Sequence, residues 1–147
     1  MRTKKYHSAL KALVEAIRLK EDYGDAYREK GIALFYLRRF LDSEKAILKS
    51  FKLNPAQPNI ATDLGSIYLA NGSFNKAFRY LKVAQNRENN LHIVFNNLGA
   101  AYAKTGESKE ALKLWKQALQ INPGIPETHI NMGVVYEKIG DKKKALT

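Results

Sequence analysis

The sequence predicts an all-α chain of antiparallel helical hairpins in tandem, and three observations carry that expectation. Gly31, Gly65, Gly99 and Gly133 recur every 34 residues without an insertion, a period that marks a repeat architecture. Between them apolar residues return at three and four, as in Leu98 and Tyr102 or Ala111, Leu112, Trp115 and Ala118, the spacing of amphipathic helices and not of strands. Turn formers fall between those runs. Gly72, Gly106 and Gly140 stand seven residues after a recurrent glycine, where a left-handed residue ends a helix, and Pro55, Pro58, Pro123 and Pro126 lie at junctions.

In chain order, residues 1–23 read as the second helix of a hairpin, because Tyr6 aligns with Phe40 and Phe74, the aromatics that open later second helices. Full units then cover residues 24–57, 58–91 and 92–125, followed by a partial unit, 126–147. In register after each glycine come Leu34, Tyr68, Tyr102 and Tyr136; then Ser43, Ala77, Ala111 and Ala145; then Ile47, Leu81 and Trp115; then Ser50, Ala84 and Ala118. Ala9, Leu13 and Ala16 continue these series backwards. Small residues keep phase because two helices approach closely only where side chains are small.

Pro58 and Pro126 suit the first turn of a helix, where a missing N–H costs nothing. Arg38 holds the place of the turn glycine, and Ser43 and Ser50 replace alanines, so the first full hairpin is expected to pack less ideally. The polar run QNRENN lacks a junction proline, which predicts a local change in the path of the repeat. The last unit reads as a first helix ending at Gly140 and a second helix cut short at Thr147, within a longer array.

Composition narrows the function. The chain has 147 residues, 45% hydrophobic and 27% charged, the balance of a globular protein. It contains no cysteine, which excludes disulfides and thiolate chemistry and suits a cytoplasmic location. No run approaches the roughly 18 apolar residues that a membrane-spanning helix needs, and MRTKKYHSALKALVEAIRLK lacks the apolar centre of a signal peptide. The net charge of +11 raises nucleic acid, an anionic membrane or an acidic protein as partners.

The stretch NNLGAAYAKTGESKEALKLWKQALQINP resembles the tetratricopeptide repeat, and the likeness covers the whole chain. It implies a right-handed superhelix, an α-solenoid, that holds other proteins without catalysis and without a cofactor. In repeats of this kind one face of every first helix lines the concave wall. The inward residues would be Asp25, Arg28, Glu29, Ile32, Phe35 and Tyr36; Asn59, Thr62, Asp63, Ser66, Leu69 and Ala70; Ile93, Asn96, Asn97, Ala100, Ala103 and Lys104; and Glu127, Ile130, Asn131, Val134, Glu137 and Lys138. That set is slightly acidic. Asn97 and Asn131 match a position at which some members hold a peptide backbone, a task that suits an amide able both to donate and to accept.

Members that clamp a chaperone's C-terminal carboxylate need a cationic cage. The corresponding places here hold Arg28, Ile32, Asp63, Ile93 and Asn97, or Thr62, Ser66, Asn97, Glu127 and Asn131, so no carboxylate clamp is expected.

Lys11, Lys45, Arg79 and Lys113 share one place in successive second helices, which predicts a basic stripe on the convex side. A solvated face is the simpler reading of such a stripe, and binding of nucleic acid or an anionic membrane is the alternative. His7, His92 and His129 offer no metal spacing, with His129 at a bulky position shared with Tyr27 and Phe95, where packing explains it. The acid pairs Glu21 and Asp22, and Asp42 and Glu44, fall near helix ends, where caps and dipoles account for them. Trp115 and the in-phase tyrosines read as core. Head-to-tail self-association is expected through Tyr6, Leu10 and Leu13 at one end and Met132, Val135 and Tyr136 at the other.

Overall fold

A computed structural model describes residues 2–20 and 24–146, and the side chains up to residue 142. Glu21, Asp22 and Thr147, and the side chain of Ala145, lie outside the described residues. Among the described residues there are eight helices and no strand: α1 (Arg2–Leu19), α2 (Gly24–Tyr36), α3 (Phe40–Leu53), α4 (Ile60–Ala70), α5 (Phe74–Arg87), α6 (Leu91–Lys104), α7 (Ser108–Ile121) and α8 (Pro126–Leu146).

Three of the helix ends show how local sequence makes the hairpins. After α4 and α6 the chain turns on Gly72 (φ 80°) and Gly106 (φ 89°). The N–H of Ser73 then reaches back to the carbonyl of Tyr68 (2.8 Å), and that of Glu107 to Tyr102 (2.8 Å), which satisfies carbonyls that have no partner within the helix. After α2 the same turn forms on Arg38 (φ 62°), with the Arg39 N–H on the Leu34 carbonyl at 2.9 Å. The turn is thus kept without its glycine.

The chain folds into two compact units, Met1–Ala84 and Gln85–Thr147, with the boundary in the last turn of α5. In the first unit Ile47 and Leu81 fill the space beside Gly31 and Gly65: a Cβ on Gly65 would lie 2.5 Å from Leu81, and one on Gly31 would run into Ile47. In the second unit Trp115 does the same at Gly99, 2.5 Å from such a Cβ. Its indole N–H donates to the Asn96 carbonyl at 3.1 Å. Ala111, Leu112, Trp115 and Val135 form the core there, with Met132 and Ile139 packed against it.

Four expectations are corrected. Ser43 and Ser50 do not loosen their hairpin: both are fully buried. The Ser43 hydroxyl donates to the Gly31 carbonyl at 2.6 Å, and that of Ser50 has the Gly24 carbonyl at 2.8 Å and Gln57 Oε1 at 2.7 Å as acceptors for its one proton. Pro126 does open α8, but Pro58 stands outside α4, because Asn59 takes a left-handed conformation (φ 66°) and delays the helix. Gly140 does not end α8, which runs on to Leu146 as one helix. His129 is exposed, its ring Nε2 lying 3.1 Å from the Pro123 carbonyl, so it fills no aromatic packing place.

Candidate functional site

The groove candidates of the first unit sit on α2 and α4. Ile32, Phe35, Tyr36, Asp63 and Ser66 line a depression of about 200 Å³ with Ile47 and Ile67 as its floor. Ile47 belongs to the core register read from the sequence, and Ile67 is buried beside it; both nevertheless form the floor of the depression. Phe35 is held edge-on by Tyr36 (5.6 Å) and Phe40 (5.5 Å), and Tyr36 stacks on Tyr6 at 4.8 Å. That stack uses up one face of the Tyr36 ring, yet the residue stays 56% exposed.

Charge in this depression is paired internally. Arg28 Nε donates to Asp63 Oδ2 at 2.6 Å, with both side chains mostly covered, and Glu29 lies 3.6 Å from the same guanidinium. Gln57 Nε2 donates to Asp25 Oδ1 at 2.8 Å. A charge-assisted bond this short fixes α2 against α4 and commits both Arg28 and Asp63 to each other.

Two candidates of the first unit lie elsewhere. Thr62 is buried, its carbonyl accepting from the Ser66 hydroxyl at 3.0 Å, and Asn59 belongs to the turn before α4. Leu69 is half-buried and Glu29 exposed.

In the second unit Ile93 on α6, and Ile130 and Val134 on α8, are large exposed apolar residues. Asn97 and Asn131 are half-buried on the same helices. Asn96 is not a surface residue. It is buried, and its Oδ1 accepts from the Thr128 hydroxyl at 2.6 Å, which ties α6 to α8 and satisfies a polar pair that would otherwise be costly in a core. Val135, expected at a sticky end, is buried as well, and Met132 is partly covered by the core. Val135 is therefore not free for self-association, whereas Met132 keeps part of its surface and Tyr136 remains exposed.

Lys11, Lys45, Arg79 and Lys113 are all exposed, on α1, α3, α5 and α7, and none of them forms an ion pair among the described residues. No group of three or more His, Asp or Glu side chains that could hold a metal ion occurs among the described residues. None of the described helices is long and apolar enough to cross a membrane.

Known proteins match this architecture. A tetratricopeptide repeat model matches residues 28–90 and a TPR repeat model residues 99–140. No curated protein sequence matches the chain. Among solved structures, MamA 41-end from Desulfovibrio magneticus RS-1 is similar at 20% identity and a TM-score of 0.81, over 99% of this chain and 89% of that one. The Arabidopsis OM64 TPR domain is similar at 17% identity and a TM-score of 0.73, over 78% and 95%. The first TPR of Spaghetti (RPAP3), bound to the HSP90 peptide SRMEEVD, is similar at 19% identity and a TM-score of 0.73, over 80% and 93%. With two repeat models matched along it, and with its packing glycines and large partners in one 34-residue register, this all-α solenoid belongs to the tetratricopeptide repeat family.

Proposed function

We propose that the chain is a non-enzymatic scaffold that holds an extended or helical segment of a partner protein on the groove faces of its first helices. The observation that carries this reading is the depression between α2 and α4, whose apolar walls Ile32, Phe35 and Tyr36 stand open beside a closed Arg28–Asp63 pair. Apolar side chains of a bound segment gain by burial there. In the second unit Ile93, Ile130 and Val134 offer similar surface, with Asn97 and Asn131 in reach of a peptide backbone. That a structurally similar domain holds a peptide supports the reading.

The partner differs in chemistry from an acidic chaperone tail. Arg28 is the cation among the clamp positions, and it is committed to Asp63. The peptide SRMEEVD is therefore expected not to bind. Affinity capture with mass spectrometry, followed by truncation of the captured partner to a peptide, identifies the segment. Ile32→Asp and Tyr36→Ala should each weaken that peptide at least tenfold with the circular dichroism unchanged. Affinity that survives both changes would refute the groove.

Two further readings have an observation each. The exposed Lys11, Lys45, Arg79 and Lys113 favour an anionic surface, nucleic acid or membrane, whose binding falls steeply with salt. Exposed Tyr136 on α8 favours head-to-tail self-association, which sedimentation at high micromolar concentration tests directly.

A further inference from the structure

The first unit contains the same cleft twice, once filled and once open. In the filled copy, over α4 and between α3 and α5, Tyr68 and Tyr80 stack at 5.5 Å with their rings 19° apart, and Phe51 meets Tyr80 edge-on at 6.2 Å. The Tyr68 hydroxyl donates to Glu44 at 3.0 Å, and Lys76 stands 5.2 Å over the Tyr68 ring.

Thirty-four residues earlier, the positions of that cluster hold Leu34 for Tyr68, Ala46 for Tyr80, Ile17 for Phe51, Leu10 for Glu44 and Asp42 for Lys76. All three rings, the phenol's acceptor and the cation over the ring are missing. Tyr27, which stands where the filled copy has Ala61, does not close the gap. A cleft of about 370 Å³ remains over α2, between α1 and α3, with Leu10, Val14, Tyr27 and Leu34 as apolar lining. That volume lies in the range of small-ligand and anchor-residue pockets.

The mouth of the open cleft is basic. Lys30 and Lys45 border it, and neither forms an ion pair among the described residues. Arg39, also at the rim, is occupied by Asp42 at 2.9 Å. Hence two lysines face whatever enters, over a floor that calls for a flat apolar group.

We propose that this cleft receives an aromatic side chain from an acidic segment of a partner protein. The ring supplies what Tyr80 supplies in the filled copy, and flanking carboxylates meet Lys30 and Lys45. The +11 net charge draws such a segment in. A bare phosphate leaves the apolar floor unused, so it fits less well. The cleft shares no lining residue with the depression between α2 and α4, and Tyr27, Lys30 and Leu34 lie on the opposite face of α2 from Ile32, Phe35 and Tyr36, as helical spacing requires. The inference therefore stands apart from the groove reading.

Calorimetry with capped pentapeptides tests it, using a central tryptophan between glutamates, the same peptide with central alanine, and the tryptophan peptide with lysines in place of glutamates. The acidic tryptophan peptide should bind at least tenfold tighter than either control. Ala46→Tyr, which restores the ring of the filled copy, should abolish that difference with the helical signal retained. Lys30→Glu with Lys45→Glu, two changes at the rim that leave the core untouched, should weaken the acidic tryptophan peptide at least tenfold. Equal affinity of the tryptophan and alanine peptides, or an unchanged affinity in the rim variant, overturns the proposal. So does retention of phosphatidylserine vesicles, lost in Ala46→Tyr, by a protein that ignores all three peptides.

Discussion

Arg38 adopts a positive φ of 62° at a place where the next two hairpins use glycine. A side chain in that conformation costs about 1 kcal/mol or somewhat more. The guanidinium, 5.7 Å from the centre of the Phe40 ring, offsets about half of it. Arg38→Gly should therefore stabilise the protein by about 0.5–1 kcal/mol, read from urea denaturation; a loss of stability would show that the Phe40 contact outweighs the strain. Ser43 makes the opposite case. Alanine is the commoner residue of that register, yet Ser43→Ala should cost about 1 kcal/mol, because the hydroxyl bonds the buried Gly31 carbonyl.

Tyr68 gives a pH dependence. Burial, then the bond to Glu44, holds its phenol well above the ordinary tyrosine range. The folded state thus keeps a proton that the unfolded state releases. Stability from this residue is complete below the ordinary phenol pKa of about 10 and is lost as pH rises above it. Stability measured from pH 8 to 11 should fall less steeply in Tyr68→Phe than in the parent, and equal slopes would remove Tyr68 as the cause.

Helices give the next test, because the recurrent glycines do two jobs. At Gly99 an added Cβ would meet the Trp115 indole at 2.5 Å, so Gly99→Ala should cost about 1–3 kcal/mol by overpacking. At Gly133 such a Cβ meets nothing within 4 Å. Gly133→Ala should instead gain about 0.5–1 kcal/mol by helix propensity alone. Thermal melts of the two variants should move in opposite directions. Gly140 belongs with Gly133: no neighbour approaches it, and α8 passes through it. At Gly72 and Gly106, by contrast, the following helix returns onto its partner through Leu81 and Trp115, and that packing fixes the turn.

At the scale of the whole chain the question is where the charge acts. The charged groove candidates sum to a slightly acidic set with Arg28 paired to Asp63, whereas Lys45, Arg79 and Lys113 are exposed and form no ion pair among the described residues. Replacing these three with glutamate should leave the affinity of a groove-bound partner within tenfold, about 1.4 kcal/mol; a larger loss with a steep salt dependence would favour the anionic-surface reading. Asn97→Ala and Asn131→Ala should each cost about 0.5–1.5 kcal/mol of peptide binding if those amides hold a backbone.

The period of 34, the amphipathic spacing and the small-residue register determined by themselves that the chain is a helical repeat and which helix faces pack. They could do so because those signals are local and repeat in phase. The roles of single positions did not follow the same way. Asn96 and Thr62 share a groove register yet are buried, Arg28 and Asp63 pair across two helices, and Val135 enters a core. The open cleft beside α1 became visible only against its filled copy. Each of these depends on which side chain from another helix arrives at a given surface. Such contacts join residues far apart in sequence, and only the tertiary structure decides them.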